Sequence, residues 1–239
     1  MTEFLMLFAA VTLGFFAENL REHQIEKHRE IQYLKNIHLD IKQDLIEIDK
    51  TIEYNLMKKG LGQNLVDLYA SGIEKDLPKF YYLIRSLTLR RWFLHSSNGL
   101  EQLKNAGGLR LIEDDEIIHQ IQLVELRVAI IETLQNTAEQ SLLYDRLKSY
   151  EILDAITSSE MNNSQNLDQS NKRIIKSRFM MPTSVRPLKL SSDKDINELV
   201  NLSLAPVNTI AYINSHLKEL KKESLRLDQM MMAKYGEDF

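Results

Sequence analysis

A long uninterrupted stretch at the start of the chain constrains the fold more than any other feature. Residues 4–17, Phe-Leu-Met-Leu-Phe-Ala-Ala-Val-Thr-Leu-Gly-Phe-Phe-Ala, carry no charge. The chain then turns polar at Glu18 and continues amphipathic to about residue 57 with no proline. This pattern is typical of one continuous helix that begins in an apolar environment and ends in water. We therefore expect a first helix over residues 2–57.

The apolar run is shorter than the roughly 20 residues of a typical spanning helix. Two other interpretations remain open, a signal peptide and a buried helix of a soluble protein. A signal peptide has basic residues before its apolar run, whereas this chain begins Met-Thr-Glu. Residues 2–20 become long enough to span if Glu3 and Glu18 lie at the two interfaces and the bilayer thins slightly. We expect this third arrangement, a transmembrane anchor.

Two groups of residues in and beside the expected anchor are candidate functional positions. Small side chains that share one helix face allow transmembrane helices to approach each other closely. The small residues of this stripe are Ala10, Gly14 and Ala17. The stripe predicts packing against another membrane helix. Polar residues Glu18, Asn19 and Arg21 follow at the membrane boundary, where we expect them in the headgroup region.

Composition narrows the function classes. The 239 residues include only 8 glycines and 4 prolines, which disfavours a β-sandwich with its many turns and any glycine-rich phosphate loop. The net charge is −4, and acidic and basic residues are interspersed, so we expect no nucleic-acid partner. Because the chain has no cysteine, disulfides, thiolate metal sites and cysteine nucleophiles are excluded.

Apolar residues recur at intervals of three and four in three long segments, a spacing typical of helices that pack in a bundle. The first helix is expected to stop at residues 58–60, and shorter helices are expected over residues 61–70 and 76–94. A long helix over residues 113–156 follows, and Pro206 interrupts the last helical region. The sequence thus predicts an all-α protein whose N-terminal transmembrane helix continues into an elongated antiparallel helical bundle.

The predicted domains follow from these segments and from a change in composition after residue 156. Residues 157–191 are polar, unpatterned and punctuated by two prolines, which favours a mobile excursion. The predicted domains are a transmembrane anchor at 1–20, a helical bundle at 21–156, the polar excursion at 157–191, and C-terminal helices that complete the bundle at 192–239.

Few residues in the sequence are candidates for binding, catalysis or metal coordination. Arg90, Arg91 and Trp92 are consecutive and are candidates for contact with an anionic headgroup or a partner carboxylate; a helix end with one stacked arginine is the other interpretation. Glu116 and His119 have the spacing of a di-iron ligand pair, but such sites need a second Glu-x-x-His motif, which the sequence lacks. We expect no catalytic residues, no cofactor and no metal site.

Two short stretches carry distinctive motifs. They are residues 10–23, Ala-Val-Thr-Leu-Gly-Phe-Phe-Ala-Glu-Asn-Leu-Arg-Glu-His, and residues 103–112, Leu-Lys-Asn-Ala-Gly-Gly-Leu-Arg-Leu-Ile. They resemble the N-terminal signature and the Leu-Lys-x-Ser-Gly-x-Leu-x-Leu-Ile motif of a family of single-pass membrane proteins of Bacteroidota with a domain of unknown function. The resemblance implies an anchor in the bacterial inner membrane and a helical domain in the periplasm. The lysines and arginines after the apolar run predict the cytoplasmic side instead; we follow the resemblance.

These features together predict a membrane-anchored, non-enzymatic helical protein. Its expected partners are the lipid bilayer and either further copies of itself or another membrane protein. The expected role is self-association or scaffolding of a membrane complex. Two alternatives remain open. One is a subunit of an oligomeric, ion-conducting pore, suggested by Glu18 and Asn19 at the mouth of the span. The other is a bundle that senses a ligand.

Overall fold

The computed structural model describes residues 2–162 and 179–239, and over these residues the protein is helical. The predicted all-α class is confirmed. Within the described ranges the only extended pairing is an isolated bridge between Asn162 and Phe179. The helices are α1 Thr2–Ser71, α2 Leu77–Leu87, α3 Asn98–Asn105, α4 Asp115–Ile152, α5 Ala155–Glu160, α6 Asp193–Asn208 and α7 Ile210–Tyr235.

The first helix is longer than predicted, because it does not stop at residues 58–60 but continues to Ser71. Gly60 is exposed within the helix, whereas Gly62 is buried against Val207 of α6. A glycine inside a helix lowers its stability by about 1 kcal/mol. Packing in this region stabilises the helix by more than that amount. The sequence signal for a stop was therefore overridden by tertiary contact.

The predicted helix over residues 76–94 is wrong at its C-terminal end. It begins as expected, since the side chain of Asp76 accepts a hydrogen bond from the Lys79 N–H at 3.0 Å and a proline lies in the first turn. It ends at Leu87, and residues 89–97 are not helical. Trp92 therefore lies in a connecting segment and not on a helix.

The other boundaries differ by a few residues. Helix α4 begins at Asp115, because Asp114 caps it by accepting hydrogen bonds from the N–H groups of Glu116 and Ile117 at 3.0 and 3.2 Å. The predicted continuation to residue 156 is divided: α4 ends at Ile152, and Asp154 then caps the short helix α5. Residues 163–178, the middle of the predicted polar excursion at 157–191, lie outside the described residues.

Contacts divide the chain into two compact units. The first unit comprises Met1–Glu47, Leu94–Val128 and Glu219–Phe239, and the second comprises Ile48–Phe93 and Ala129–Lys218. Helices α1, α4 and α7 each contribute residues to both units.

The core of the first unit comes from the three long helices. Leu34 and Ile41 of α1, Ile121 of α4 and Leu227 of α7 are each less than 5% exposed. They lie at the three- and four-residue spacing that predicted the packing faces of these helices. The predicted packing faces are therefore confirmed for this unit.

Two carboxylates on the buried side of α1 hold the connecting segment of the first unit. Asp44 accepts a hydrogen bond from the Ser96 N–H at 2.8 Å, and its second oxygen lies 2.5 Å from Nδ1 of His95. One turn earlier, Asp40 accepts from the Gly99 N–H at 2.6 Å. These contacts pair main-chain groups that the non-helical segment cannot pair by itself.

Two further polar side chains of α1 engage the end of α7 within the same unit. The carboxylate of Glu30 accepts hydrogen bonds from the Tyr235 hydroxyl at 2.7 Å and from the Glu113 N–H at 3.1 Å. Nδ1 of His38 lies 2.5 Å from a carboxylate oxygen of Asp228. The predicted packing face of α1 is thus as polar as it is apolar.

The second unit has a larger apolar core built around α2. Phe80, Tyr81 and Ile84 of α2 are fully buried. They form one cluster with Leu65 of α1, Leu199 of α6 and other apolar side chains. The aromatic side chains Phe80 and Tyr81 therefore serve as core. The remaining buried members of the cluster are Leu68, Leu83, Leu87, Ile152, Leu153, Met161, Phe179, Ile196 and Val200.

The two glycines of α1 in the second unit provide a matched pair for measurement. A Cβ atom at Gly62 would lie 2.8 Å from Cγ1 of Val207, a stiff side chain, whereas a Cβ at Gly60 has no atom within 4 Å. We expect Gly62→Ala to lower the free energy of unfolding by about 1–3 kcal/mol. We expect Gly60→Ala to raise it by about 0.5–1 kcal/mol, because alanine favours the helix.

Urea denaturation of the two variants and the natural chain checks this prediction. Equal effects of the two alanines would show that α1 and α6 do not pack closely at Gly62.

Candidate functional site

The N-terminal end of α1 is an apolar helix that is exposed on every side. The large apolar side chains that the structure describes between Phe4 and Leu20 are between 52% and 74% exposed. They are Phe4, Met6, Leu7, Phe8, Val11, Leu13, Phe15, Phe16 and Leu20. Soluble proteins do not usually expose a continuous apolar surface of this extent, which marks a site of interaction with protein or lipid.

Hydropathy alone does not assign this end of α1 to a membrane. Over residues 2–162 and 179–239, no helix contains a segment that is both long and apolar enough to cross a bilayer.

The small residues predicted to pack in the membrane lie within this exposed end. Ala10, Gly14 and Ala17 are all exposed, and a Cβ added at Gly14 would meet no atom within 4 Å. The face is thus open to a neighbour outside the described residues. On another face, the hydroxyl of Thr12 donates to the Phe8 carbonyl at 2.8 Å, so this polar group is satisfied within the helix.

The predicted boundary residues follow the apolar end directly. Glu18 and Arg21 form an ion pair one turn apart, in which Nε of Arg21 donates to Oε2 of Glu18 at 3.0 Å. Asn19 is exposed between them. The structure therefore brings Glu18 and Arg21 together and leaves Asn19 open to its surroundings.

A second candidate site is a buried charged cluster in the second unit. Lys58 of α1 is 1% exposed, and its Nζ donates to the carbonyl of Ser86, near the C-terminal end of α2. A cation at this position complements the dipole of α2. Burial holds the pKa of Lys58 well below its usual range, and the nearby Arg90 lowers it further while Asp145 opposes the shift.

The predicted contact residues Arg90, Arg91 and Trp92 lie beside this cluster, on the segment after α2. Burial lowers the pKa of Arg90 to about 10, and the neighbouring Tyr54 and Asp145 oppose that shift. One terminal nitrogen of Arg90, Nη2, is buried without a hydrogen-bond partner among the described residues. The guanidinium of Arg90 is therefore not free to reach a headgroup at the surface.

Asp145 of α4 is the carboxylate of the cluster and is completely buried. Its Oδ1 accepts a hydrogen bond from the Ser203 hydroxyl at 2.6 Å, and its Oδ2 is buried without a partner in the part of the chain that the structure describes. Burial raises its pKa to about 6, although the Ser203 hydrogen bond and the charges of Arg90 and Lys58 act in the opposite direction.

Lys58 and Asp145 were missed by sequence analysis, which treated Lys58 as part of a helix stop. A signal was present, because the buried positions of α1 continue from Ile48 through Thr51 and Asn55 to Lys58 at intervals of three and four. If the three- and four-residue spacing of buried positions is continued past the polar residues Thr51 and Asn55, it places Lys58 on the packing face of α1. No comparable pattern in the sequence identifies Asp145 as a buried carboxylate.

Neither candidate site gives a ready metal centre. Among the described residues, no three histidine, aspartate or glutamate side chains are grouped so that they could hold a metal ion. The chain matches no protein-family model, no curated protein and no solved structure among those with which it was compared. Function is therefore inferred from the two sites themselves.

Asp145 makes stability depend on pH in a direction opposite to that of most carboxylates. Its pKa is higher in the folded chain, at about 6, than the ordinary value of 3.8, so the folded state binds the extra proton between these values. Its contribution is thus complete below pH 3.8 and is lost as the pH rises through 6, a loss of about 3 kcal/mol over the window.

We expect Asp145→Asn to remove this loss. Urea denaturation at several pH values between about 4 and 7.5 should show the natural chain losing stability relative to the variant as the pH rises. Parallel pH profiles for the two chains would contradict the assignment.

Proposed function

We propose that this protein is anchored in a membrane by the apolar end of α1 and that its two helical units lie outside the bilayer. The observation that carries the proposal is the exposure of every described large apolar side chain from Phe4 to Phe16. Water is a poor solvent for such a surface, whereas lipid acyl chains match it on all sides. A partner protein would cover one face more readily than the whole circumference.

The proposed anchor comprises residues 2–20. As a helix it is about 28 Å long, close to the roughly 30 Å of a bilayer core. Glu3 and Glu18 would lie at opposite interfaces, and slight thinning of the bilayer accommodates the difference. Following the family resemblance, we propose the bacterial inner membrane with the helical units in the periplasm.

The proposed role is self-association or scaffolding of a membrane complex. The small stripe Ala10, Gly14 and Ala17 supports it, because the stripe is open and lies on one face of the anchor. The pairing of Glu18 with Arg21 favours this role over an ion-conducting pore, since it neutralises the charge at the mouth of the span.

We also propose that the role is not catalytic. Buried and half-buried carboxylates elsewhere in the two units have structural partners: Asp40 and Asp44 accept hydrogen bonds from main-chain N–H groups, and Asp154 caps α5. Such contacts account for their burial without a reaction.

Membrane binding is tested by flotation of the full chain with vesicles of phosphatidylethanolamine and phosphatidylglycerol. We expect the natural chain to float with the vesicles and the double variant Phe8→Asp/Leu13→Asp to remain at the bottom. Each aspartate at the centre of a span costs about 3 kcal/mol, so binding should fall by about 100-fold or more.

The matched control for flotation is Leu126→Asp/Leu143→Asp, which changes two side chains that are equally exposed at 55% and 54% on α4. We expect this control to float as the natural chain does. Equal flotation of the two double variants, or none by the natural chain, would refute the anchor.

Self-association is tested by light scattering in mild detergent. We expect the natural chain to form a defined oligomer and Ala10→Ile/Gly14→Ile to shift it to the monomer, because the larger side chains prevent close helix approach. The control Thr12→Ile/Phe16→Ile changes the opposite face and should leave the mass unchanged. An oligomer that survives Ala10→Ile/Gly14→Ile would exclude the stripe as its interface.

A further inference from the structure

A small cavity in the second unit has an unusual lining. It contains two arginine guanidinium groups, neutral polar groups and apolar side chains, and none of its lining residues is acidic. Its volume is about 10 Å³. This is enough for one particle of about the size of a water molecule. The lining comprises Thr51, Asn55, Arg90, Arg91, Trp92, Gln135, Ala138, Pro206, Thr209, Ile210 and Ile213.

The charged groups beside the cavity carry an excess positive charge when Lys58 is protonated. Lys58 is a buried cation, Arg90 is a half-buried cation whose Nη2 is buried, and Asp145 is the buried carboxylate that acts on both. Burial raises the pKa of Tyr54 to about 12, so this neighbour stays neutral. Arg146 does not alter the balance, because it pairs with Glu139 at 2.6 Å. With Lys58 protonated, two cations face one carboxylate, and an uncompensated buried charge is costly. Burial lowers the pKa of Lys58 and so opposes the protonated state, which a bound anion would favour.

The neutral groups of the lining favour a negative ligand as well. Nη2 of Arg90 is a buried donor without a partner in the described chain. Asn55 uses one amide hydrogen on Asn214 at 2.7 Å, which leaves its second amide hydrogen as a donor. The carboxamide oxygen of Gln135 is already engaged by the Phe93 N–H at 2.8 Å. The cavity thus offers donors and positive charge.

We propose that this cavity binds a small monovalent anion of the size of chloride, held by the guanidinium of Arg90. The small volume favours a monatomic anion over a phosphate, sulfate or carboxylate group. The anion would complete the charge balance of Lys58, Arg90 and Asp145. A water molecule also fits the volume but leaves the extra positive charge uncompensated, so the two occupants differ in a measurable way.

The first test is thermal unfolding of the full chain in detergent at constant ionic strength, with sodium gluconate exchanged stepwise for sodium chloride. Gluconate is too large for the cavity, so screening is matched and only site occupancy changes. A ligand that binds the folded state alone raises the midpoint with its concentration. We expect a rise of about 3–5 °C for each tenfold increase in chloride above the dissociation constant.

Two variants of the lining should abolish this dependence. Arg90→Met removes the donor, and Ala138→Val fills the cavity while both guanidinium groups remain. The control Arg226→Met removes an arginine that is exposed on α7 and should leave the chloride dependence intact. An effect of chloride that persists in both lining variants would overturn the proposal.

A second measurement does not depend on whether the variants fold. Bound chloride exchanging with free chloride broadens the ³⁵Cl resonance, and added bromide should narrow it by competition. We expect this behaviour with the natural chain and its loss with Ala138→Val. An unbroadened ³⁵Cl line together with equal unfolding midpoints in gluconate and chloride would show that the cavity holds water only.

Discussion

Polar side chains on the packing face of α1 form hydrogen bonds that hold other segments of the structure in place. In the first unit, Asp40 and Asp44 hold the segment after residue 94, and Glu30 holds the end of α7. In the second unit, Lys58 donates to the last turn of α2. A hydrogen bond to a charged group contributes about 1.5–3 kcal/mol, and leaving the buried main-chain partner unpaired would cost a similar amount. These contacts therefore fix where each connection lies, which apolar packing alone does not specify.

Most of the helical architecture could be predicted from the sequence, because the apolar spacing of α1, α4 and α7 is a local signal. The remaining features depend on tertiary contact. Gly60 was expected to end α1, but the packing at Gly62 carries the helix onward to Ser71. Trp92 was expected near a helix end and instead lines a cavity from a non-helical segment. The burial of Asp145 was not predictable, because its partner Ser203 is 58 residues distant in the sequence.

The two candidate sites place opposite kinds of group where their solvation is least favourable. The start of α1 exposes apolar side chains, which are stable in contact with lipid and unstable in water. The second unit places the buried Lys58 and the half-buried Arg90 against one buried carboxylate, and their charges balance only with a further negative charge or after loss of a proton. Both arrangements are explained by a partner outside the chain, a bilayer in the first case and a small anion in the second.

The position of the apolar end of α1 in a bilayer tests the central claim most directly. Because the chain has no cysteine, a single Val11→Cys or Leu126→Cys substitution gives one fluorescent labelling site in vesicles of the full chain. A spanning anchor predicts that spin-labelled lipids quench the probe at residue 11 most strongly when the spin label is deep in the acyl chain, and that the probe at residue 126 is not quenched. Strongest quenching of residue 11 by labels near the headgroups, or equal quenching at the two sites, would contradict a transmembrane anchor.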